Sequence, residues 1–339
     1  MTTFVRPLSV LLVLLAFSGC SRSDSPAAGA AAGGAAPAAK PAGGTKFVSV
    51  GTAPPGGAFF VVGGALSEVL AEKKGERKWN VTSEATMGSQ ENIRRLARGE
   101  LDFAVSNAAI TYFAVRGEGE WAAKQEVRAV VTLAPNIAFF LTPTKSGVKR
   151  IADFRGKRVV VGPAGSGMEA FIQPLLAAHG VTYKDFTPLQ GTQTAAVDML
   201  SDGSAVAAFL GGAVPTASIT QACSSQEIFF IPFDDAAKKD LIAKYPFFNP
   251  ATIPAKTYPG QNEAFEALNT GSMHFITGAK ADDELVYEVT KTIYENREAV
   301  VAKHAAGRAI NPQNAARNTG TPFHPGAIRY YKEIGIWKE

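Results

Sequence analysis

The sequence predicts an α/β protein in which sheets of parallel strands are covered by helices and the chain is divided into two domains. Three observations predict it. Apolar runs of strand length alternate with stretches of helical periodicity. The order of elements in the first half recurs in the second. Residues 46–339 are also too many for one small domain, and the chain's composition, 46% hydrophobic and 19% charged, is ordinary for globular protein.

Taken in order, residues 46–51 read as a strand, 58–73 as a helix, 80–84 as a strand, 89–98 as a helix, and 101–106 and 127–133 as strands. A second set opens with a strand at 158–161 and a helix at 166–179, followed by strands near 205–210 and 228–231. Short apolar strands at 137–142 and 272–277 flank this second set and are expected to carry the chain across and back as a hinge. The expected boundaries are 46–138 with 277–339 for one lobe and 139–276 for the other.

Ahead of this body, Arg6 precedes an apolar run from Leu8 to Phe17 that is too short to span a bilayer. Residues 1–19 therefore read as a signal peptide. Phe17-Ser18-Gly19-Cys20 resembles a lipobox, so cleavage would leave Cys20 as a lipidated N-terminus anchored in the periplasm, with inner or outer membrane left open. The alternative is an ordinary secretory signal cleaved in the alanine-rich stretch beyond; both export the chain. Behind Cys20, the stretch to Thr45 is almost entirely Ala, Gly, Pro and Ser, too poor in apolar surface to offset the entropy of ordering it. A tether of this kind has a root-mean-square reach of about 28 Å.

Formal net charge is only +4, with basic and acidic residues interspersed, so no basic stripe points to nucleic acid. The two cysteines are Cys20 and Cys223, so lipidation of the first leaves no intramolecular disulfide; Cys223, without a basic neighbour in sequence, reads as a small core residue. His179, His274, His304 and His324 are scattered without metal-ligand spacing, and surface or capping roles are expected of them. No metal or cofactor is implied.

Three loops have the chemistry of a ligand cradle, because each places small or hydroxyl residues between a strand end and a helix start, where unpaired N–H groups and a partial positive charge are presented. They are Gly51-Thr52-Ala53-Pro54-Pro55-Gly56-Gly57, Thr86-Met87-Gly88-Ser89-Gln90-Glu91-Asn92 and Gly162-Pro163-Ala164-Gly165-Ser166-Gly167-Met168. Each alone is also what any turn favours. The third also fits a dinucleotide fingerprint, with Asp185 as ribose acceptor, but an exported protein meets little such cofactor. No lysine follows its glycines, which excludes a Walker A loop, and Ser166 is not set in Gly-x-Ser-x-Gly. No catalytic constellation emerges, and a non-enzymatic protein is expected.

The same residues carry a family resemblance. Gly56-Gly57-Ala58-Phe59-Phe60, Gly99-Glu100-Leu101-Asp102-Phe103-Ala104, Asp153-Phe154-Arg155-Gly156-Lys157-Arg158-Val159, Gly165-Ser166-Gly167 and His324-Pro325-Gly326-Ala327, within a match from Val50 to Gly335, resemble the TAXI family, solute-binding subunits of tripartite ATP-independent periplasmic (TRAP) transporters. The resemblance implies a type II periplasmic-binding-protein fold, two α/β lobes joined by crossing hinge strands, that traps a small carboxylate or amino-acid-like ligand and delivers it to a TRAP permease. It places Thr52, Phe59 and Phe60 on one wall, with polar contacts from Ser89, Asn92, Ser106 and Asn107; a monomer is expected. Ser166, Gly167, Met168, Gly211 and Gly212 would come from the other lobe. A ligand-sensing or protein-interaction lipoprotein of the same fold is the alternative. Phe59-Phe60 stand where relatives carry two tyrosines, Met168 replaces a threonine, and a histidine is replaced near Phe139. Burying such apolar side chains is worth roughly 1.5–3 kcal/mol each, so a less acidic or partly aromatic ligand is expected.

Overall fold

The computed structural model describes residues 44–55, 57–164 and 166–338. The expected signal peptide, lipidated Cys20 and most of the tether lie outside the described residues.

The first lobe begins with β1 (Lys46–Gly51), α1 (Ala58–Glu72), β2 (Trp79–Glu84), α2 (Ser89–Ala97), β3 (Phe103–Asn107), α3 (Ala108–Arg116) and β4 (Val127–Thr132). The second contains β5 (Ile137–Pro143), β6 (Arg158–Gly162), α4 (Gly167–Ala178), β7 (Thr187–Gln190), α5 (Gln193–Ser201) and β8 (Ala207–Gly212). It continues with α6 (Ala217–Ser225), β9 (Ile228–Ile231), α7 (Asp235–Lys244), β10 (Phe248–Ile253) and β11 (Phe265–Thr270). The chain then returns to the first lobe as β12 (Met273–Gly278), α8 (Asp283–Glu295), α9 (Arg297–Lys303) and α10 (Pro325–Glu333).

One sheet has the order β2-β1-β3-β12-β4; the other runs β10-β11-β5-β8-β6-β7, with β9 also paired to β5. The sheets are mixed rather than all parallel as the alternating pattern suggested. β1 is parallel to β2 and β3, and β6 to β7 and β8, but β5 and β12 run antiparallel to every neighbour. These are the two strands that follow a passage between sheets, so each enters its sheet against the direction set by the strand-helix repeats. The passages, residues 133–136 and 271–272, are held side by side: Met273 N donates to the Ala134 carbonyl (2.8 Å) and Thr270 N to the Asn136 carbonyl (2.9 Å).

β5 shows how sequence sets the packing. Its side chains alternate between faces. Phe139 points into a core with Phe230, Tyr258 and Phe265, whereas Phe140 points the other way onto Phe154, Phe209 and Phe233. Burial on both faces accounts for the unbroken apolar run Ile137–Leu141. α3 follows β3 without a loop because Asn107 ends the strand in extended geometry and caps the helix, its Oδ1 accepting from Ala109 N at 2.8 Å. Gly117, at φ +69°, closes the same helix in the left-handed conformation.

The core has three parts. One lies between the first sheet and helices α1, α8 and α10; another lies under α5 and α6 on the second sheet. The third is shared between lobes, running from α2 and α3 to α4, α7 and the adjacent face of the second sheet. Within it, Tyr112 and Phe113 of α3 meet Phe247 of the second lobe at ring separations of 5.2 and 5.7 Å. No helix among the described residues is long and apolar enough to cross a membrane.

Candidate ligand-binding site

A cavity of ≈ 710 Å³, its open mouth included, lies between the lobes. Its walls are the first residues of five helices: Gly57 and Ala58 of α1, Gly88 and Ser89 of α2, Asn107 before α3, Ser166 before α4, and Thr192 before α5. Three of these helices come from one lobe and two from the other. Asn107 and Thr192 cap their helices through the side chain, but the starts of α1, α2 and α4 have no side-chain cap, so backbone N–H groups are left for another acceptor.

The polar side chains divide into committed and uncommitted groups. Asn107 is spent at both ends, on its cap and on Nδ2, which donates to the Gly271 carbonyl at 2.9 Å. Gln193 is likewise fixed: Nε2 donates to the Gly211 carbonyl (2.8 Å), and Oε1 accepts from Ser218 Oγ (2.8 Å). Ser89 Oγ accepts from Asn107 N at 3.0 Å, which leaves its proton free to donate. Asn136 Nδ2 donates to Thr270 Oγ1 at 3.1 Å, and its Oδ1 makes no hydrogen bond among the described residues. Ser166 Oγ is buried and without any partner. A buried hydroxyl in that condition is unfavourable unless something else supplies its bond. Phe59, Met87, Met168, Phe171 and Phe209 complete the walls, and the described lining holds no Asp, Glu, Lys, Arg, His or Cys.

Of the residues expected at the site, Phe59, Ser89, Asn107, Ser166, Met168 and Gly211 line the cavity. Thr52, Phe60, Asn92, Ser106 and Gly212 do not. Thr52 is buried beneath the first loop, its Oγ1 donating to the Glu84 carbonyl at 2.7 Å. Asn92 braces that loop from below, with Nδ2 donating to the Thr52 carbonyl (2.7 Å) and the Val105 carbonyl (2.8 Å). Ser106 is buried and accepts from Thr111 Oγ1 at 2.9 Å. Phe60 lies on α1 outside the lining, Gly167 opens α4 beside Ser166, and Gly212 backs onto Ala58 of the opposite lobe. Phe139, read as a cleft position, is fully buried in the core.

Thr192 and Gln193 were missed although Gly191-Thr192-Gln193 repeats the pattern of a small and a hydroxyl residue ahead of a helix. Asn136 and Phe209 carry no local signal and arrive through the pairing of β5 with β8.

The histidines depart in part from expectation. His304 and His324 cap helices, accepting from Ala306 N and Gly326 N. His179 Nε2 accepts from Asp234 N at 3.0 Å. His274 is neither exposed nor a cap: it is fully buried on β12, with Nε2 2.5 Å from Thr319 Oγ1, and burial reinforced by the Arg317 charge pulls its pKa down to about 3. Burial raises the Cys223 thiol to about 11, so it stays protonated and inert at neutral pH. Asp185, weighed above as a ribose acceptor, is instead bound to Thr182 N and Oγ1, both at 2.7 Å.

Two α/β lobes with a cavity between them define the two-lobed, type II periplasmic-binding-protein fold. The chain belongs to the NMT1-like family, whose model matches residues 50–335. Solved structures share the fold at low identity. PhnD1 from Prochlorococcus marinus, in complex with methylphosphonate, has a TM-score of 0.53 at 10% identity over 86% of this chain and 97% of that one. A protein of Bordetella bronchiseptica has a TM-score of 0.51 at 14% identity, over 86% and 89%. The binding-protein component of an ABC phosphonate transporter from Pseudomonas aeruginosa has 0.50 at 8%, over 77% and 79%.

The NMT1-like match corrects the assignment to the TAXI family and, with it, the expected delivery to a TRAP permease. Several of the strings behind that assignment lie at strand-to-helix turns around the cavity, which this fold builds for its own geometric reasons. They did not discriminate between families.

Proposed function

We propose that this protein captures a small organic ligand between its lobes, outside the cytoplasm, and presents it to a membrane transporter. The observation that supports this best is the convergence of helix starts from both lobes on one cavity that contains a buried, unpartnered hydroxyl, Ser166 Oγ. Closing the lobes over a ligand removes water and strengthens each hydrogen bond made to it. Lipidation at Cys20 would keep the captured ligand near the membrane.

Thermal unfolding of the purified protein against a library of small acids, amines, amino acids and neutral metabolites tests the reading. A ligand at 100 times its Kd adds about 2.7 kcal/mol to the native state, which raises the melting temperature by several degrees. A melting curve unmoved by any class of small molecule, from folded and unliganded protein, would count against capture.

A further inference from the structure

We infer that the cavity selects an organic monoacid: one singly charged oxyanion head at the helix starts, and a short uncharged apolar body against the opposite walls. This rests on the cavity being the ligand site.

The sign of the head follows from the backbone. The uncapped helices α1, α2 and α4 are 15, 9 and 12 residues long, and each begins at the cavity wall. Such helix starts present unpaired N–H donors and a partial positive charge to whatever lies before them. Ser166 Oγ, on a residue only 5% exposed and without a partner, is an independent sign that a hydrogen-bonding group is missing at the same place.

The number of charges follows from the side chains that are absent. Among the described lining residues no lysine or arginine is available to neutralise a second negative charge, so a dianion would stay partly unbalanced once the lobes close over it. Among the same described lining residues no aspartate or glutamate stands ready to pair with an ammonium group, and the positive helix ends oppose one directly. The expected amino-acid-like ligand is therefore disfavoured for a physical reason: a zwitterion brings a cation for which the described lining offers no carboxylate.

The body follows from size and surface. The cavity, ≈ 710 Å³ with its open mouth, is of the order that holds a small organic molecule. Phe59, Met168, Phe171 and Phe209 face that volume with rings and a thioether, the surface that accepts a short alkyl chain or one aromatic ring.

Isothermal titration on the full chain, stripped of any co-purified molecule by unfolding and refolding, tests the inference with matched probes. Butanoate, benzoate and butane-1-sulfonate carry one negative charge. Butanamide is neutral, 2-aminobutanoate is a zwitterion and succinate is a dianion. At least one monoanion should bind 100-fold or more tighter than all three of the others, and the preference between carboxylate and sulfonate identifies a planar or tetrahedral head. Ser166→Ala should weaken that monoanion at least tenfold. Ser166→Asp, which places a good capping residue before α4, should abolish its binding with the melting temperature kept or raised.

Equal or tighter binding of 2-aminobutanoate or succinate would overturn the monoacid assignment and leave ligand capture standing. Wild-type affinity in both Ser166 variants would also overturn it. If no probe binds to correctly refolded protein, the monoacid assignment fails, and the capture reading is decided by the thermal-unfolding library.

Discussion

Gly212 on β8 and Ala58 at the start of α1 touch across the two lobes: a Cβ added to Gly212 would stand 3.2 Å from the Cβ of Ala58. The lobes are in close contact here beside the cavity, and there is no slack for a larger side chain. Ala58→Leu is expected to act as a wedge that favours separated lobes. Overpacking of this kind costs about 1–3 kcal/mol, a loss in ligand affinity of roughly five- to 150-fold. Small-angle scattering should show a larger radius of gyration with ligand present, while circular dichroism stays unchanged.

Phe247 should matter more for stability than for contact with ligand. It is 1% exposed and lies against Tyr112 and Phe113 of the opposite lobe. Phe247→Ala is expected to destabilise the fold by about 3–5 kcal/mol, measured by urea unfolding. If the shared core were incidental to lobe contact, ligand dissociation would not accelerate in this variant.

Buried His274 makes stability depend on acid. Its pKa is about 3 in the folded protein, below the ordinary value of about 6.5 that applies once the chain unfolds. The unfolded chain therefore takes up the proton first, and stability present above pH 6.5 declines as pH falls toward 3, by about 4–5 kcal/mol at the limit. Burial also holds His304 and His324 low, and both act in the same direction. Unfolding free energies measured from pH 7 to pH 4 should fall steadily, and His274→Gln should flatten that slope even if it lowers the plateau.

Asn92 separates a positioning role from a contacting one. Removing its amide takes one donor from each of the buried Thr52 and Val105 carbonyls, of which Thr52 keeps Thr86 Oγ1 at 3.1 Å. Asn92→Ala is expected to lose about 1–3 kcal/mol of stability. Because the affected loop leads into α1, affinity should also drop, but less than in Ser166→Ala. A larger affinity loss than in that variant would put Asn92 in direct contact with ligand.

The regular elements were legible wherever hydrophobic period and turn chemistry agreed, as in β1, α1, α2 and α4. Two kinds of information were not local. Pro250 sits inside β10, where a sequence reading demotes a strand, and it is tolerated because β10 lies at the edge of its sheet. The antiparallel entry of β5 and β12 depends on where each strand finds a free neighbour, which no window of residues contains. The site was half readable for the same reason. Hydroxyl and glycine residues marked the helix starts, so Ser89, Asn107 and Ser166 could be found. The same chemistry also marks residues that brace a loop from behind, and composition cannot tell Thr52, Asn92 or Ser106 from a group that faces the cavity. That distinction rests on side-chain direction, set by packing.

The positive character of the cavity is carried by main-chain N–H groups, so it is held in common by many residues and by no single codon. Substitutions drifting through Phe59, Met168 or Phe209 can reshape the space offered to a ligand's body while its preference for an acid persists. A lineage built on this scaffold can thus change what it collects in small steps, without passing through an ancestor that has lost its attraction for anions.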